Sequence, residues 1–460
     1  MRTIRNLTLS LLVSLPVVAW QAETTVRPPQ ALNPKIRKII AEISEARVID
    51  ILKKLESFGT RNTLSDPDQP NRGVGAARQW IFDQFKSYSP RLEVSFDSYQ
   101  APKGGRIWKD LEVRNVIAIL PGTADKDRWI MIGGHYDSLN LRVPPEIRND
   151  PAKAAEVDAP GVTDNASGTA VAMECARVMS RYEFDATLVF VAFIGEEQGL
   201  IGARNLARKL RERNQMVEAV LNNDIIGSDV SGNGVSDNRR ILVFSEDPND
   251  SPSRQIARYL RLMGMRYYPE FSAEMVFRAD RFGRGGDHTP FNEQDYAAVR
   301  FTTPNEHFGN QHSPTDTFEN TSPAYITKTV RLNAIAAAAM ALAPRPPVTV
   351  PQAQLPASQR AGAPAAARTG PRPGLTRGDG YDAVLRWDYP NPEPDLAGFI
   401  VVMRSTLAPD WEHEIWAGDV REFTLKNTPI DQLVFGVKAV DREGHESPVS
   451  AYWNPPRGAR

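Results

Sequence analysis

The pattern of apolar and polar residues divides the chain into two parts that differ in the spacing of their apolar residues. Up to Ala343, short apolar segments alternate with stretches whose apolar residues recur at helical spacing. WIMIGG and ATLVFVAFI are apolar almost throughout, which is typical of strands buried on both faces of a sheet. Strands alternating with helices indicate an α/β fold, and we predict a mixed, largely parallel central sheet flanked by helices over residues 35–343. The predicted helices cover residues 35–58, 73–87, 167–181, 199–214 and 252–263, and a last one ends near Ala343.

The composition changes after this point. Residues 344–374 contain eight prolines and seven alanines but no aromatic or acidic residue, which favours a semi-extended linker over a packed core. We place this linker at residues 344–378 and expect few contacts across it. Short alternating segments from 379 to 456 predict an all-β sandwich. Trp387 and the segments DLAGFIVVMR and FGVKAVDREGHES resemble a fibronectin type III domain.

The first residues have the pattern of a secretory signal peptide. Arg2 and Arg5 precede the apolar stretch LTLSLLVSLPVVAW, and small residues follow at Ala19 and Ala22. The stretch is shorter than the roughly 20 residues that span a bilayer, and we find no other candidate for a membrane span. We therefore expect residues 1–22 to be removed and the protein to be exported, either to the periplasm or out of the cell.

Charge and cysteine content exclude several classes of protein. Lys+Arg number 55 and Asp+Glu 56, so the net charge of −1 gives no reason to expect a nucleic-acid partner. The single cysteine, Cys175, excludes an intramolecular disulfide, although exported proteins often have them. Its apolar helical surroundings predict a buried, unreactive thiol. The fold must therefore depend on its core or on bound metal.

Acidic residues and histidines follow the predicted strands at the points where these end. The carboxyl ends of strands in an open α/β sheet form the edge at which ligands bind. Each residue alone has an ordinary explanation, such as a turn or a helix cap. Together they suit zinc, which favours histidine nitrogens and carboxylate oxygens. The stretches are GGHYDS (His135, Asp137), PGVTDNASG (Asp164), GEEQGLIG (Glu196, Glu197), NNDIIGS (Asp224) and GNQHSPTDTFEN (His312, Asp316).

The order and the residues of these motifs resemble those of the two-zinc exopeptidase family, which includes bacterial leucyl aminopeptidases, aminopeptidase Y and glutamate carboxypeptidase. The resemblance implies two zinc ions per chain, with Asp164 bridging them. It further implies that His135 and Asp224 complete one metal site. Glu197 and His312 then complete the other.

By the same resemblance, which covers about residues 45–343, Glu196 is the general base. Neighbouring residues point in different directions, so Glu197 can bind metal while Glu196 stays free to move protons. The resemblance also implies that Asp137 orients His135 through a hydrogen bond.

Further residues near these motifs have less defined roles. Asp316 is expected either to support His312 or to cap a helix. Asp287 and His288 match a motif that the family carries near its pocket, and we interpret them as structural. Gln311 stands where the family's aminopeptidases often have a tyrosine that steadies the reaction intermediate. An amide can still donate a hydrogen bond there.

The sequence thus predicts an exported zinc exopeptidase, an aminopeptidase in the first instance, acting on peptides. One alternative is a carboxypeptidase, for which Arg281 or Arg284 offers the cation that a terminal carboxylate needs. A single-zinc glutaminyl cyclase is a further relative, but the full two-metal set is present. The other alternative is a non-catalytic binding protein on the same scaffold. We expect the sandwich to bind a surface, a polymer or a protein.

Overall fold

The computed structural model describes residues 27–28, 30–349, 373–390 and 392–452. The predicted signal peptide, residues 1–22, lies outside these ranges, and so does most of the predicted linker. Among the described residues, no helix combines the length and the apolar character that crossing a membrane requires.

One mixed sheet forms the centre of the first part of the chain. Its strands are β1 (Glu93–Ala101), β2 (Leu111–Leu120), β3 (Asp125–His135), β4 (Ala186–Phe193), β5 (Met216–Asn223), β6 (Arg240–Ser245), β7 (Ser272–Val276) and β8 (Ala298–Thr302). They lie in the order β1-β2-β4-β3-β5-β8-β6-β7. The central strands β4, β3, β5 and β8 are mutually parallel, and antiparallel pairs occur towards both edges. The predicted mixed, largely parallel sheet is confirmed.

Helices cover both faces of this sheet. One face packs against α1 (Pro34–Glu42), α2 (Glu45–Glu56), α3 (Gly73–Tyr88), α5 (Ser167–Met179), α7 (Pro252–Tyr267) and α9 (Pro323–Leu342). The other face packs against α6 (Ile201–Glu212) and α8 (His288–Glu293), while α4 (Pro151–Ala155) lies in the segment between β3 and α5. Cys175 is buried in α5, as predicted.

Strand β4 shows why its sequence is apolar without interruption. All of its residues are buried. Leu188 and Phe190 belong to the core on one face of the sheet, and Val189 and Val191 belong to the core on the other. Because successive side chains of a strand point to opposite faces, both sets of positions must be apolar. Burial on both faces fixes the register of β4 and with it the position of the residues that follow.

The helix predicted at residues 35–58 is two helices in the structure. α1 ends at Glu42, and Ser44 begins α2 by accepting a hydrogen bond from the backbone N–H of Arg47 at 3.4 Å. The backbone N–H of Ser44 donates to Glu174 Oε1 at 2.8 Å, which satisfies it at the break. Serine is a favoured residue at this position because its short side chain reaches the unpaired N–H groups of the first turn.

The C-terminal part is a sandwich of two antiparallel sheets. Its strands are β9 (Gly374–Arg377), β10 (Ala383–Arg386), β11 (Leu396–Ser405), β12 (His413–Gly418), β13 (Glu422–Leu425), β14 (Leu433–Asp441) and β15 (Ser450–Ala451). They form the sheets β13-β10-β9 and β12-β11-β14-β15. The core between them contains Leu385, Trp387, Phe399 and Phe435. Strand β9 lies within residues 344–378, so the sandwich begins before the predicted end of the linker.

The sandwich packs on helix α7 of the first part. Arg258 Nε donates to the backbone oxygen of Pro409 at 2.7 Å, and Trp411 Nε1 donates to Gln255 Oε1 at 3.2 Å. Arg258 and Gln255 are both buried. The Pro/Ala-rich composition of the linker led us to expect few contacts across it, and this expectation is wrong. A linker sequence limits how the chain connects two units but does not determine which surfaces they bury.

We expect truncation after Ala343 to lower the melting temperature of the remaining protein. Truncation exposes Arg258 and Gln255 to water and removes their hydrogen bonds to the sandwich, each of which contributes about 0.5–1.5 kcal/mol. In a unit of this size each kcal/mol corresponds to roughly 2–4 °C. Thermal unfolding of the full chain and the truncated chain measures the effect. Tyr381→Ala removes an exposed side chain of the sandwich and serves as the neutral control. Equal melting temperatures for both chains would contradict the observed packing.

Candidate metal centre

The predicted ligands lie together at one edge of the central sheet. His135 is the last residue of β3, and Glu196 and Glu197 follow the end of β4. Asp224 directly follows β5, where its backbone N–H donates to Phe301 O of the parallel strand β8 at 3.1 Å. These carboxyl ends meet because the strands are parallel neighbours in the sheet. Asp164 precedes α5, and His312 lies in the loop after β8.

Within this set the residues form two groups. His135, Glu196 and Asp224 make one group, and Asp164, Glu197 and His312 make the other; within each group the potential ligand atoms lie within 4.8 Å of one another. Each group combines an imidazole with two carboxylates. That is the composition of a zinc site with room for a further ligand.

The carboxylate of Asp164 lies between the two histidines. Its Oδ1 is 3.2 Å from His135 Nε2, and its Oδ2 is 3.1 Å from His312 Nε2. The other ligand atoms are close to the same nitrogens. Asp224 Oδ1 is 3.7 Å from His135 Nε2, and Glu197 Oε2 is 3.1 Å from His312 Nε2. Asp164 can therefore contribute one oxygen to each group.

The protein alone leaves this cluster short of positive charge and of hydrogen bonds. The buried atoms His135 Nε2 and Glu197 Oε1 have no hydrogen-bond partner among the described residues. Burial, together with the neighbouring Asp164 carboxylate, raises the pKa of Glu197 to about 7. Burial also raises the pKa of Glu196 well above its usual range. Buried carboxylates in this number require cations, so the residues present fit bound zinc.

Asp137 lies against His135, as the prediction requires, and also holds the glutamate pair. The atom nearest His135 Nδ1 is the backbone oxygen of Asp137 at 3.1 Å, and Asp137 Oδ1 is 3.5 Å away. The carboxylate instead accepts hydrogen bonds from the backbone N–H groups of Glu196 and Glu197, at 3.3 and 3.2 Å, and from Thr63 Oγ1 at 3.1 Å. Asp137 thus orients His135 through its backbone and fixes the glutamate pair through its side chain.

Asp316 supports Asp164 rather than His312. Its carboxylate accepts hydrogen bonds from the backbone N–H groups of Thr163 and Asp164, at 2.8 and 2.9 Å. Burial raises the pKa of Asp316 to about 6, against the effect of these two bonds, which lower it. His312 is held by another contact, in which its backbone oxygen accepts from the N–H of Leu141 at 2.9 Å.

Asp287 and His288 are buried at the start of α8. His288 Nε2 lies 2.9 Å from the backbone oxygen of Ala279, and burial lowers the pKa of its ring to about 4, so the ring is neutral. This contact suits the structural interpretation. Asp287 differs, because neither of its carboxylate oxygens has a hydrogen-bond partner among the described residues.

Glu306 binds three side chains that were predicted as possible substrate contacts. Arg281 Nη1 forms an ion pair with Glu306, Arg284 Nη2 lies 2.9 Å from it, and Gln311 Nε2 donates to it at 3.0 Å. Both arginines are therefore ion-paired, and the amide N–H of Gln311 is directed at Glu306. A hydrogen bond from Gln311 to a substrate would require this network to rearrange.

Two buried arginines were missed by reasoning from the sequence. Arg61 donates to the backbone oxygens of Tyr136, Pro160 and Gly161 at 2.7, 2.6 and 2.7 Å, which joins the segments that carry His135 and Asp164. Arg300 lies 3.0 Å from Asp224. The only signal for Arg300 is a basic residue inside the otherwise apolar strand AAVRF. Arg61 gives no signal, because its partners are backbone atoms.

Comparison with known proteins agrees with this geometry. Residues 115–337 match the model of peptidase family M28. A probable zinc metalloprotease of Pyricularia oryzae is 35% identical, over 92% of this chain and 85% of the relative. A second probable zinc metalloprotease, from Phaeosphaeria nodorum, is 32% identical, over 91% of this chain and 88% of the relative.

Two solved structures share the fold at low identity. The LapA aminopeptidase of Legionella pneumophila superimposes with a TM-score of 0.52 at 18% identity, covering 68% of this chain and 76% of that one. An aminopeptidase from Aneurinibacillus sp. strain AM-1 gives a TM-score of 0.50 at 16% identity, covering 65% and 95%. The extended match to the fungal relatives, together with a cluster of residues suited to zinc, shows that the chain belongs to peptidase family M28 and is a zinc metalloprotease.

Proposed function

We propose that the protein is an aminopeptidase that uses two zinc ions and Glu196 as its general base. The observation that carries this proposal is the position of Asp164, whose two oxygens face His135 and His312 separately. One carboxylate shared in this way gives each group three protein ligands. Glu196 also lies among the potential ligand atoms beside His135 and Asp224, but Asp164 can take its place as the third ligand and so leave Glu196 free as an acid–base group.

The protein's own residues divide the work of peptide hydrolysis as follows. His135, Asp164 and Asp224 would hold one zinc ion, and Asp164, Glu197 and His312 the other. Zinc bound there would polarise the scissile carbonyl and acidify the attacking water. Glu196 is half-buried beside His135 and Asp224, so it can accept a proton from the water and later give it to the leaving amine.

The charges around the cleft favour recognition of a free amine. Glu196, Asp224 and Asp287 contribute three carboxylates close to one another, as their mutual effects on pKa indicate. An ammonium or amine group is a suitable partner for such a cluster. The two solved neighbours described above are also named aminopeptidases, which supports the same choice.

Carboxypeptidase activity is the second candidate, and one observation favours it. Arg281 and Arg284 share the single carboxylate of Glu306, so the group carries one positive charge in excess. That charge could attract a terminal carboxylate. The pairing with Glu306 weakens the attraction, because part of the arginine field is already neutralised.

The N-terminus and the C-terminal sandwich bear on where the protein acts and what it binds. The signal-like N-terminus supports export, with the protein acting in the periplasm or outside the cell on peptide substrates. The sandwich, which resembles a fibronectin type III domain, would bind a surface, a polymer or a protein. The charge balance of −1 gives no support for nucleic acid as a partner.

Glu196→Gln is expected to retain both metal ions and to lower kcat by about 10²–10⁴-fold, because it removes a proton carrier but no ligand. Glu197→Gln is the matched control, since it changes the neighbouring residue and should lower the zinc content. Metal analysis beside kcat measurements separates the two. Full zinc content with near wild-type turnover in Glu196→Gln would reject the assignment of the base.

N-acetylation of a leucyl reporter substrate is expected to lower kcat/KM at least about tenfold. The acetyl group removes the positive charge that the carboxylates bind, and an unmade bond to a charged group costs more than about 1.4 kcal/mol, the equivalent of a factor of ten. Equal cleavage of free and blocked reporters would reject an amine-anchored site. Release of C-terminal residues from blocked peptides, abolished by Arg281→Ala or Arg284→Ala, would establish the carboxypeptidase alternative instead.

A further inference from the structure

A buried arginine stands directly behind one of the proposed metal ligands. Arg300 lies on β8, and its Nη2 is 3.0 Å from Asp224 Oδ2. The side chains of Arg300 and Asp224 are 0% and 3% exposed. The parallel pairing of β5 and β8 brings them together, because Asn222 and Arg300 are opposite each other in the register. No step of the proposed hydrolysis uses this arginine.

The ion pair divides the two oxygens of Asp224 between different partners. Oδ1 faces His135 Nε2 at 3.7 Å, whereas Oδ2 faces Arg300. Glu197, the corresponding carboxylate of the other group, has Oε2 at 3.1 Å from His312 Nε2 and leaves its buried Oε1 without a hydrogen-bond partner among the described residues. Glu197 can therefore offer both oxygens to a cation, and Asp224 can offer one.

The loop before α8 is shaped around this pair. A Cβ atom on Gly286 would lie 2.8 Å from Asp224 Oδ2 and 3.0 Å from Arg300 Nη1, closer than packed atoms come. Arg300 Nη1 also donates to the backbone oxygen of Gly285. Glycine at position 286 thus lets the backbone approach the ion pair, and Arg300 is held by the loop as well as by Asp224. Two separate elements fix the position of the guanidinium.

We propose that Arg300 is a positioning residue that restricts Asp224 to binding zinc through one oxygen and so makes the two metal positions unequal. The inference rests on the two-zinc function proposed above. The guanidinium 3.0 Å from Asp224 Oδ2 places a positive charge where a second oxygen–zinc bond would form. The guanidinium charge also repels a cation at short range inside the protein. The position beside His135 and Asp224 would therefore bind zinc more weakly than the position beside Glu197 and His312.

The first test is the zinc affinity of the Arg300→Met variant, measured stepwise by competition with a chelator. Loss of the charge frees Asp224 Oδ2, so the weaker position should bind zinc about 10–100-fold more tightly, the size of effect that neighbouring groups exert on metal ligands. A merely structural role predicts the opposite sign, because a loosened Asp224 would bind zinc less well. Unchanged or lower affinity would overturn the proposal.

Two companion variants control for charge and for burial. Arg300→Lys keeps the positive charge and should keep the weak affinity of this position. Arg128→Met removes another buried arginine, which is paired with Glu218 at 2.9 Å, and should lower the melting temperature without changing zinc affinity. A rise in zinc affinity in Arg300→Lys or in Arg128→Met as large as that in Arg300→Met would overturn the assignment to the charge of Arg300.

The wild-type protein provides a test that does not depend on the folding of an Arg300 variant. Its two zinc ions should bind with affinities that differ at least about tenfold. Asp224→Asn should abolish the weaker class, and Glu197→Gln should abolish the tighter class. Binding of a single zinc ion in total would refute the two-zinc function itself. Two equal affinities in the wild type would refute only the role of Arg300.

Discussion

The crowding of carboxylates at one edge of the sheet is the constraint on which the rest of the site depends. Asp164, Glu197, Asp224 and Asp287 are buried there, and Glu196 is half-buried beside them. So many buried negative charges would repel one another and drive protonation unless cations compensate them. The protein supplies two imidazoles and one guanidinium in direct contact, which is too little. Bound zinc is what allows this arrangement to exist in its charged form.

Rigid supports keep the carboxylates in place against that repulsion. Asp137 and Asp316 do so by accepting hydrogen bonds from the backbones of the glutamate pair and of Asp164. Arg61 donates to backbone oxygens in the segments that carry His135 and Asp164. The pattern is the same in each case: a charged side chain holds the backbone of a ligand rather than its side chain. Ligand geometry is thereby set before any metal arrives.

The sheet and the candidate ligands could be predicted because their signals are local in the sequence. The hydrogen bonds that Asp137 and Asp316 accept could not, because their donors lie in distant segments. The predicted ligands His135 and Asp224 stand at strand ends, and strand ends are marked locally by a switch from apolar to polar residues. The partners of Asp137 and Asp316 are backbone N–H groups contributed by distant segments. Every non-proline residue has such a group, so no residue type signals it. The packing of the sandwich on α7 was missed likewise, because composition does not encode which surfaces meet.

The fixed register of β4 has a consequence for how this protein can change over generations. Glu196 and Glu197 differ by one position, and the proposed base and the proposed ligand are otherwise the same side chain. A one-residue deletion in β4 would bring Glu197 to the place of Glu196 and Gln198 to the place of Glu197, and it would turn the residues on one side of the deletion to the wrong core. Length changes in this strand are therefore lethal to fold and chemistry at once. Variation here must proceed by substitution alone, while loops away from the metal centre remain free to change in length.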